Sequence, residues 1–148
     1  MRTARGQLWH LPQLAMILWG FTRATPWLPQ VRSHWDDLRA LFKVIRWGWV
    51  RVIRKQGRVA GFVVRDGDIL HALYVHPLRQ GQGLGRALLA EAKAEAGVLR
   101  LWVLEANAAA RAFYARQGFV EAARSMGMGN DEGLPDVLMV WHGKGESA

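Results

Sequence analysis

Gly81, Gly83 and Gly85 stand at alternate positions in LHALYVHPLRQGQGLGRALLAEAKA, where an apolar run passes Pro77 and turns into a helical pattern. Glycine lacks a Cβ, so the backbone there can take positive φ and let a ligand approach closely. The first N–H groups of the helix that follows have no partner within it and carry the positive end of its dipole. Together these features make an anion cradle suited to a pyrophosphate, with plain turn residues as the alternative. Two familiar nucleotide patterns do not fit. The Walker loop needs Gly-Lys-Ser/Thr, whereas Gly85 is followed by Arg86 and Ala87. The G-x-G-x-x-G fingerprint needs glycine three places after Gly83, where Arg86 stands.

Other chemistries are limited by composition. The chain has no cysteine, which excludes disulfides, thiolate metal sites and a cysteine nucleophile. His71 and His76 lie five apart on or near one strand and face opposite sides, so no metal site is expected. No serine sits in a G-x-S-x-G elbow.

The glycines are positioned by elements that the pattern predicts on both sides. Residues 2–8 read as a short strand, and LPQLAMILWGF and SHWDDLRALFKVIRW as two helices. Ser33 caps the second helix, with Asp36 and Asp37 favouring the dipole in its first turn. WVRVIRKQGRVAGFVVRDGDILHALYV reads as three strands broken near Gln56-Gly57 and at Asp66-Gly67-Asp68. A helix from about Leu84 to Ala96 is stopped by Gly97, and the apolar run LRLWVLEA follows as a strand buried on both faces. Asn107 caps a short helix, AAARAFYARQ, ending at Gly118; strands at Glu121–Met128 and Val137–Trp141 flank the loop GNDEGLPD. This order predicts an α+β fold, a mostly antiparallel sheet with one or two parallel pairs rather than a doubly wound Rossmann sheet.

With 148 residues and 51% hydrophobic content the chain reads as a single domain, 1–148, with an ample core. The start is polar and broken by Pro12, and the apolar run Leu14–Phe21 is far too short to span a bilayer, so the expected location is cytoplasmic. The net charge of +8 is uneven. Residues 1–60 hold 11 Lys and Arg against two acids, and the remainder nine against ten. Such a basic third can be a solvated surface or a polyanion site.

The pair Q-x-x-G-x-G, from Gln80 to Gly85, and NAAARAFYARQGF some twenty residues later resembles the two acetyl-CoA-binding motifs of the GNAT family of N-acetyltransferases. The likeness is specific over Ile69–Phe119 and weaker before residue 50. It implies a GNAT-like mixed, twisted sheet flanked by about four helices, with residues 1–50 as acceptor-side helices and 51–148 as the acetyl-CoA-binding core. It also implies transfer of an acetyl group from acetyl-CoA to a primary amine, by direct attack in a ternary complex.

By that resemblance the main chain of Leu73, Tyr74 and Val75 pairs with the pantetheine arm, beside a bulge that splays two parallel strands. Gln80, Gly81, Gln82, Gly83, Leu84 and Gly85 hold the pyrophosphate, with Arg86 available to a phosphate or simply solvated. Asn107 contacts the pantetheine arm as well as capping its helix. Tyr114, which could equally be core, protonates the departing thiolate. His71 is the first candidate for the base that takes the amine's proton, because LHALYVH also resembles the equivalent strand of arylalkylamine N-acetyltransferases. A structural His on the sheet's other face is the alternative, and Glu105 is the second candidate. On the acceptor side Trp27, Glu105, Asp131 and Glu132 are expected, with a solvated loop as the alternative for Asp131 and Glu132 and most of the tryptophans in the core. The expected partner is a small-molecule or protein amine, with no membrane association and homodimerisation left open. A basic nucleic-acid-binding module and a non-catalytic CoA-responsive sensor are the competing readings.

Overall fold

The computed structural model describes residues 2–29 and 32–143; the remaining residues of the expected 1–148 unit lie outside it. A strand β1 (Arg2–Arg5) leads through a short 3-10 turn at Leu8–His10 into α1 (Leu11–Arg23) and α2 (His34–Arg46). The expected strand at 2–8 is therefore shorter, because the Gln7 N–H donates to His10 Nδ1 and the chain turns there (2.9 Å). α2 starts as its sequence requires: the Asp36 N–H donates to Ser33 Oγ (3.1 Å), and the Ser33 N–H donates back to Asp36 (3.2 Å).

Three antiparallel strands follow, β2 (Val50–Lys55), β3 (Arg58–Asp66) and β4 (Ile69–Val75). After a 3-10 turn at Pro77–Arg79 come α3 (Leu84–Glu95), β5 (Val98–Leu104), α4 (Ala108–Arg116), β6 (Val120–Ser125) and β7 (Asp136–His142). Among the described residues seven strands form one sheet in the order β1-β2-β3-β4-β5-β7-β6, with β4–β5 its one parallel pair. The fold is α+β, as expected, with four α-helices among the described residues.

Alternating strand residues divide the core between the two faces of the sheet. Leu14, Ile17, Leu41 and Ile45 from α1 and α2 pack on Val50, Val52, Phe62 and Val64. On the opposite face Leu84, Leu88 and Leu89 from α3 and Tyr114 from α4 pack on Leu99, Leu101 and Val137.

Two irregularities in β4 open the sheet. Val64 pairs with Ala72 and Arg65 with Leu70, so His71 is an extra residue, a β-bulge. The bulge resets the alternation: Leu70, Leu73 and Val75 belong to the α3–α4 face, whereas Ala72 and Tyr74 belong to the α1–α2 face. In addition, β4 and β5 pair only at Ile69–Arg100 and Leu70–Leu101. Beyond Leu70, among the described residues, no strand lies beside the β5-facing edge of β4.

None of the tryptophans is fully buried, contrary to expectation, and Trp9, Trp27, Trp35, Trp47 and Trp102 are exposed. Indole is large enough to cover core with one face while the other meets solvent.

Candidate active site

The divergence of β4 and β5 leaves a cavity of about 570 Å³, walled by Leu70–Val75 on one side and Leu101–Leu104 on the other. The glycine loop closes one end. Gly81 and Gly83 have φ of 78° and 80°, and a Cβ added to either would meet nothing within 4 Å. These two glycines thus serve backbone conformation and leave open space beside it. Gly85 differs: a Cβ there would lie 3.2 Å from Phe113 Cζ, so its missing side chain lets α3 pack against α4. Gly83 is the cap of α3, and among the described residues no protein acceptor meets the backbone N–H groups from Gly81 to Arg86. Six N–H groups and the positive end of a helix dipole are thus left without protein acceptors beside the cavity, as a pyrophosphate site requires.

Arginines surround this end. Arg86 lines the cavity, as do Arg79 and Arg116, which the sequence reading did not single out. Their signals were present: Arg79 directly precedes Gln80, and Arg116 lies three residues after Phe113 on the helical face that lines the cavity. Arg79 also donates to Gln56 (3.0 Å).

Asn107 lies on the cavity wall. Its Oδ1 accepts from the Ala110 N–H (3.2 Å), which starts α4, while its side-chain amide has no protein partner among the described residues. One side chain thereby caps a helix and offers a donor to the cavity.

Two phenols approach the slot from opposite faces. Tyr114 stands edge-on to Phe113 and Phe119, at centroid distances of 5.3 and 5.4 Å. No protein group hydrogen-bonds its hydroxyl, yet no described side-chain polar atom is both sealed and unpartnered, so the hydroxyl opens to the cavity. Burial, and then the neighbouring Tyr74, push its pKa well above the ordinary tyrosine value. Tyr74 packs between Phe21 and Phe62 (5.2 and 5.5 Å). Its pKa is pushed up to about 12, first by burial and then by the carboxylates of Glu132 and Asp37. At neutral pH both phenols are proton donors and neither is a base.

His71, on the bulge, lies against Trp49 with near-parallel rings (5.2 Å, 7°) and lines the same cavity. Trp27 and Leu28 from the α1–α2 loop, Phe21 from α1 and Glu132 from the β6–β7 loop form the remaining rim. Three expected residues do not line it. Gln82 turns outward, where its amide oxygen accepts from Lys55. Glu105 reaches toward Arg124 (3.6 Å) while its carbonyl accepts from Arg111 (3.2 Å). Asp131 pairs with Arg32 (3.2 Å) on the far side of the loop.

Among the described residues no helix is long and apolar enough to cross a membrane. The sequence matches the family model described as an acetyltransferase (GNAT) domain over residues 46–121. It is 30% identical over 143 residues to the peptidyl-lysine N-acetyltransferase YiaC of Escherichia coli, covering 91% of this chain and 86% of the relative. Among solved structures, a GNAT-family acetyltransferase from Bacillus cereus superposes with a TM-score of 0.78 at 14% identity, covering 97% of each chain. A Salmonella typhimurium acetyltransferase, yncA, solved with its cofactor acetyl-CoA, superposes with a TM-score of 0.73 at 23% identity, over 100% of this chain and 96% of that one. Sheet order, splayed strands, glycine loop and sequence all converge: the chain belongs to the GNAT family of acetyltransferases, for which acetyl-CoA is the acetyl donor.

Proposed function

We propose that this protein acetylates the side-chain amine of lysine in proteins or peptides, by direct attack in a ternary complex. The observation that carries this reading is the unpaired edge of β4 leading into the glycine-opened start of α3, with the Tyr114 hydroxyl in the gap between. The open edge of β4 and the start of α3 supply the donor half, and Phe21, Trp27, Leu28 and Glu132 the acceptor rim.

The cavity fits acetyl-CoA. The open edge from Leu73 to Val75 can pair with the amides of the pantetheine arm, and the free amide of Asn107 adds a donor. The N–H groups from Gly81 to Arg86 hold the pyrophosphate, with Arg79, Arg86 and Arg116 balancing phosphate charge. The bound cofactor supplies an activated acyl group as a thioester. With no cysteine to carry an acyl group, the amine must attack it directly. Tyr114 donates a proton to the leaving sulfur. A phenol of raised pKa is a reluctant donor, so position and the developing thiolate charge must supply the drive. His71 takes the amine's proton, directly or through water, because it is the imidazole on the cavity wall and Glu105 points away.

Lysine is favoured among amines by the 30% identity to a peptidyl-lysine N-acetyltransferase and by the rim itself. Trp27, Phe21 and Leu28 offer apolar walls to a four-carbon stem, and Glu132 offers a carboxylate to its ammonium.

The test is a thermal melt with acetyl-CoA, CoA, NAD and ATP in parallel, followed by mass spectrometry of lysine-containing peptides incubated with acetyl-CoA. Ligand at one hundred times its Kd adds about 2.7 kcal/mol, which raises the midpoint of a chain this size by roughly 5–15 °C. The expected result is a rise with the two CoA ligands alone and acetylation on lysine. No rise with either CoA ligand would remove the donor assignment; acetylation confined to small amines would remove the acceptor assignment.

A further inference from the structure

A second concavity, of about 490 Å³, lies on the outer side of the same rim, lined by Arg32, Asp36, Arg39, Ala40, Lys43 and Asp131. Its two acids are engaged within the protein. Asp36 accepts from the Ser33 N–H at the start of α2 (3.2 Å), and Asp131 accepts from Arg32 (3.2 Å). Arg32 is engaged too, since it also pairs with Asp37 (3.3 Å). Arg39 and Lys43 are not: among the described residues neither forms an ion pair with a carboxylate. They stand four residues apart on α2, hence side by side on one helical face. The lining therefore carries three cations against two acids, with Arg39 and Lys43 outside any ion pair and Arg39 in the field of Asp36.

Its position connects it to the reaction. Asp131 lines this groove and the next residue, Glu132, lines the acetyl-transfer cavity, so one loop separates the two. Consecutive residues of an extended chain advance about 3.3 Å each, so the flanks of a peptide that places a lysine over Glu132 lead toward the groove.

We propose that Arg39 and Lys43 dock an acidic side chain of the protein substrate, close in sequence to the acetylated lysine, so that the enzyme selects lysines with Asp or Glu neighbours. This rests on the protein-lysine reading and deepens it. The groove chooses among lysines; it takes no part in the chemistry.

The test compares peptides identical but for their flanks: Asp/Glu, Asn/Gln or Lys/Arg on either side of the lysine. With the wild-type protein at low salt, the acidic-flanked peptide should show a KM about 5-fold or more below the Asn/Gln peptide, at similar kcat. The gap should narrow as ionic strength rises, because exposed pairs are screened. Arg39→Gln/Lys43→Gln should raise the KM of the acidic peptide toward that of the Asn/Gln peptide. Arg39→Glu/Lys43→Glu should reverse the preference toward the Lys/Arg-flanked peptide, a gain that a misfolded variant cannot show. Equal KM values across the three peptides, or a preference that survives charge reversal, would overturn the docking groove and leave lysine acetylation standing. No acetylation of any peptide would overturn both. If a short single-stranded RNA binds at Arg39 and Lys43 and the acidic peptide does not displace it, the groove holds phosphate instead and the proposal falls.

Discussion

Tyr114 and Tyr74 reach the gap between β4 and β5 from opposite faces of the sheet, and burial keeps both phenols neutral well past physiological pH. Their surroundings separate their roles. The Tyr114 hydroxyl opens to the cavity from the donor side, while Tyr74 is wedged between Phe21 and Phe62 and lies in the field of Glu132. Tyr114→Phe should therefore lower kcat by about 10²-fold while the melting rise with acetyl-CoA persists. Tyr74→Phe should leave kcat within a few-fold of wild type; a reversed pattern would move the donor role to Tyr74. A different histidine bears on stability in mild acid. His10 is buried, its Nδ1 accepts from the Gln7 N–H, and Arg54 lies 2.9 Å from Nε2. Burial, and then the Arg54 charge, hold its pKa below the ordinary 6.5. As pH falls, the unfolded chain takes up this proton first. The stability His10 confers is thus present above pH 6.5 and lost as pH drops through the folded value. Melting midpoints should decline below about pH 6.5, and His10→Gln should flatten that decline; equal slopes in the two proteins would exclude His10 as the cause.

At the scale of elements, the glycine loop divides into two functions that substitution can separate. Gly83→Ala forces a side chain into φ of 80° with open space around it, so it should cost about 1 kcal/mol, roughly 3 °C, and weaken acetyl-CoA binding. Gly83→Asn should recover much of both, because Asn tolerates the left-handed region. Gly85→Val instead drives methyl groups into Phe113, so it should lower the melting midpoint more than Gly83→Ala does; equal losses would refute the division. This distinction was not legible in the sequence, where the three glycines look alike. What was legible is local. The turns at Gln56-Gly57 and Asp66-Gly67-Asp68, the Ser33 and Asn107 caps and the apolar β5 run all specify their own neighbourhoods, and the elements appear where those signals stand. What was hidden is tertiary. The bulge at His71 depends on how β3 and β4 align, which no single stretch encodes. The same holds for Glu105, turned away by Arg124 and Arg111, and for Arg116, which reaches the cavity only once α4 docks on α3.

At the scale of the whole molecule, the sheet is two well-paired halves, β1–β4 and β5–β7, joined by two residue pairs between β4 and β5. Each half carries its own antiparallel ladders, and α3 crosses the junction by packing on β2, β3, β4 and β5. The proposed active site is the place where the sheet fails to close. Its cost is a row of backbone groups without protein partners on β4 and another at the start of α3. A ligand that pairs with both rows acts as the missing strand and ties the halves together. Hydrogen exchange should report this directly. Acetyl-CoA should slow the open-edge amides between Ala72 and Val75 and those from Gly81 to Arg86, while β6 and β7, already paired with each other, change little. Protection of the α3 amides alone would mean that the phosphates bind but the pantetheine arm does not follow β4. Protection spread evenly over both halves would mean general stabilisation by mass action, with no strand-like pairing at the junction.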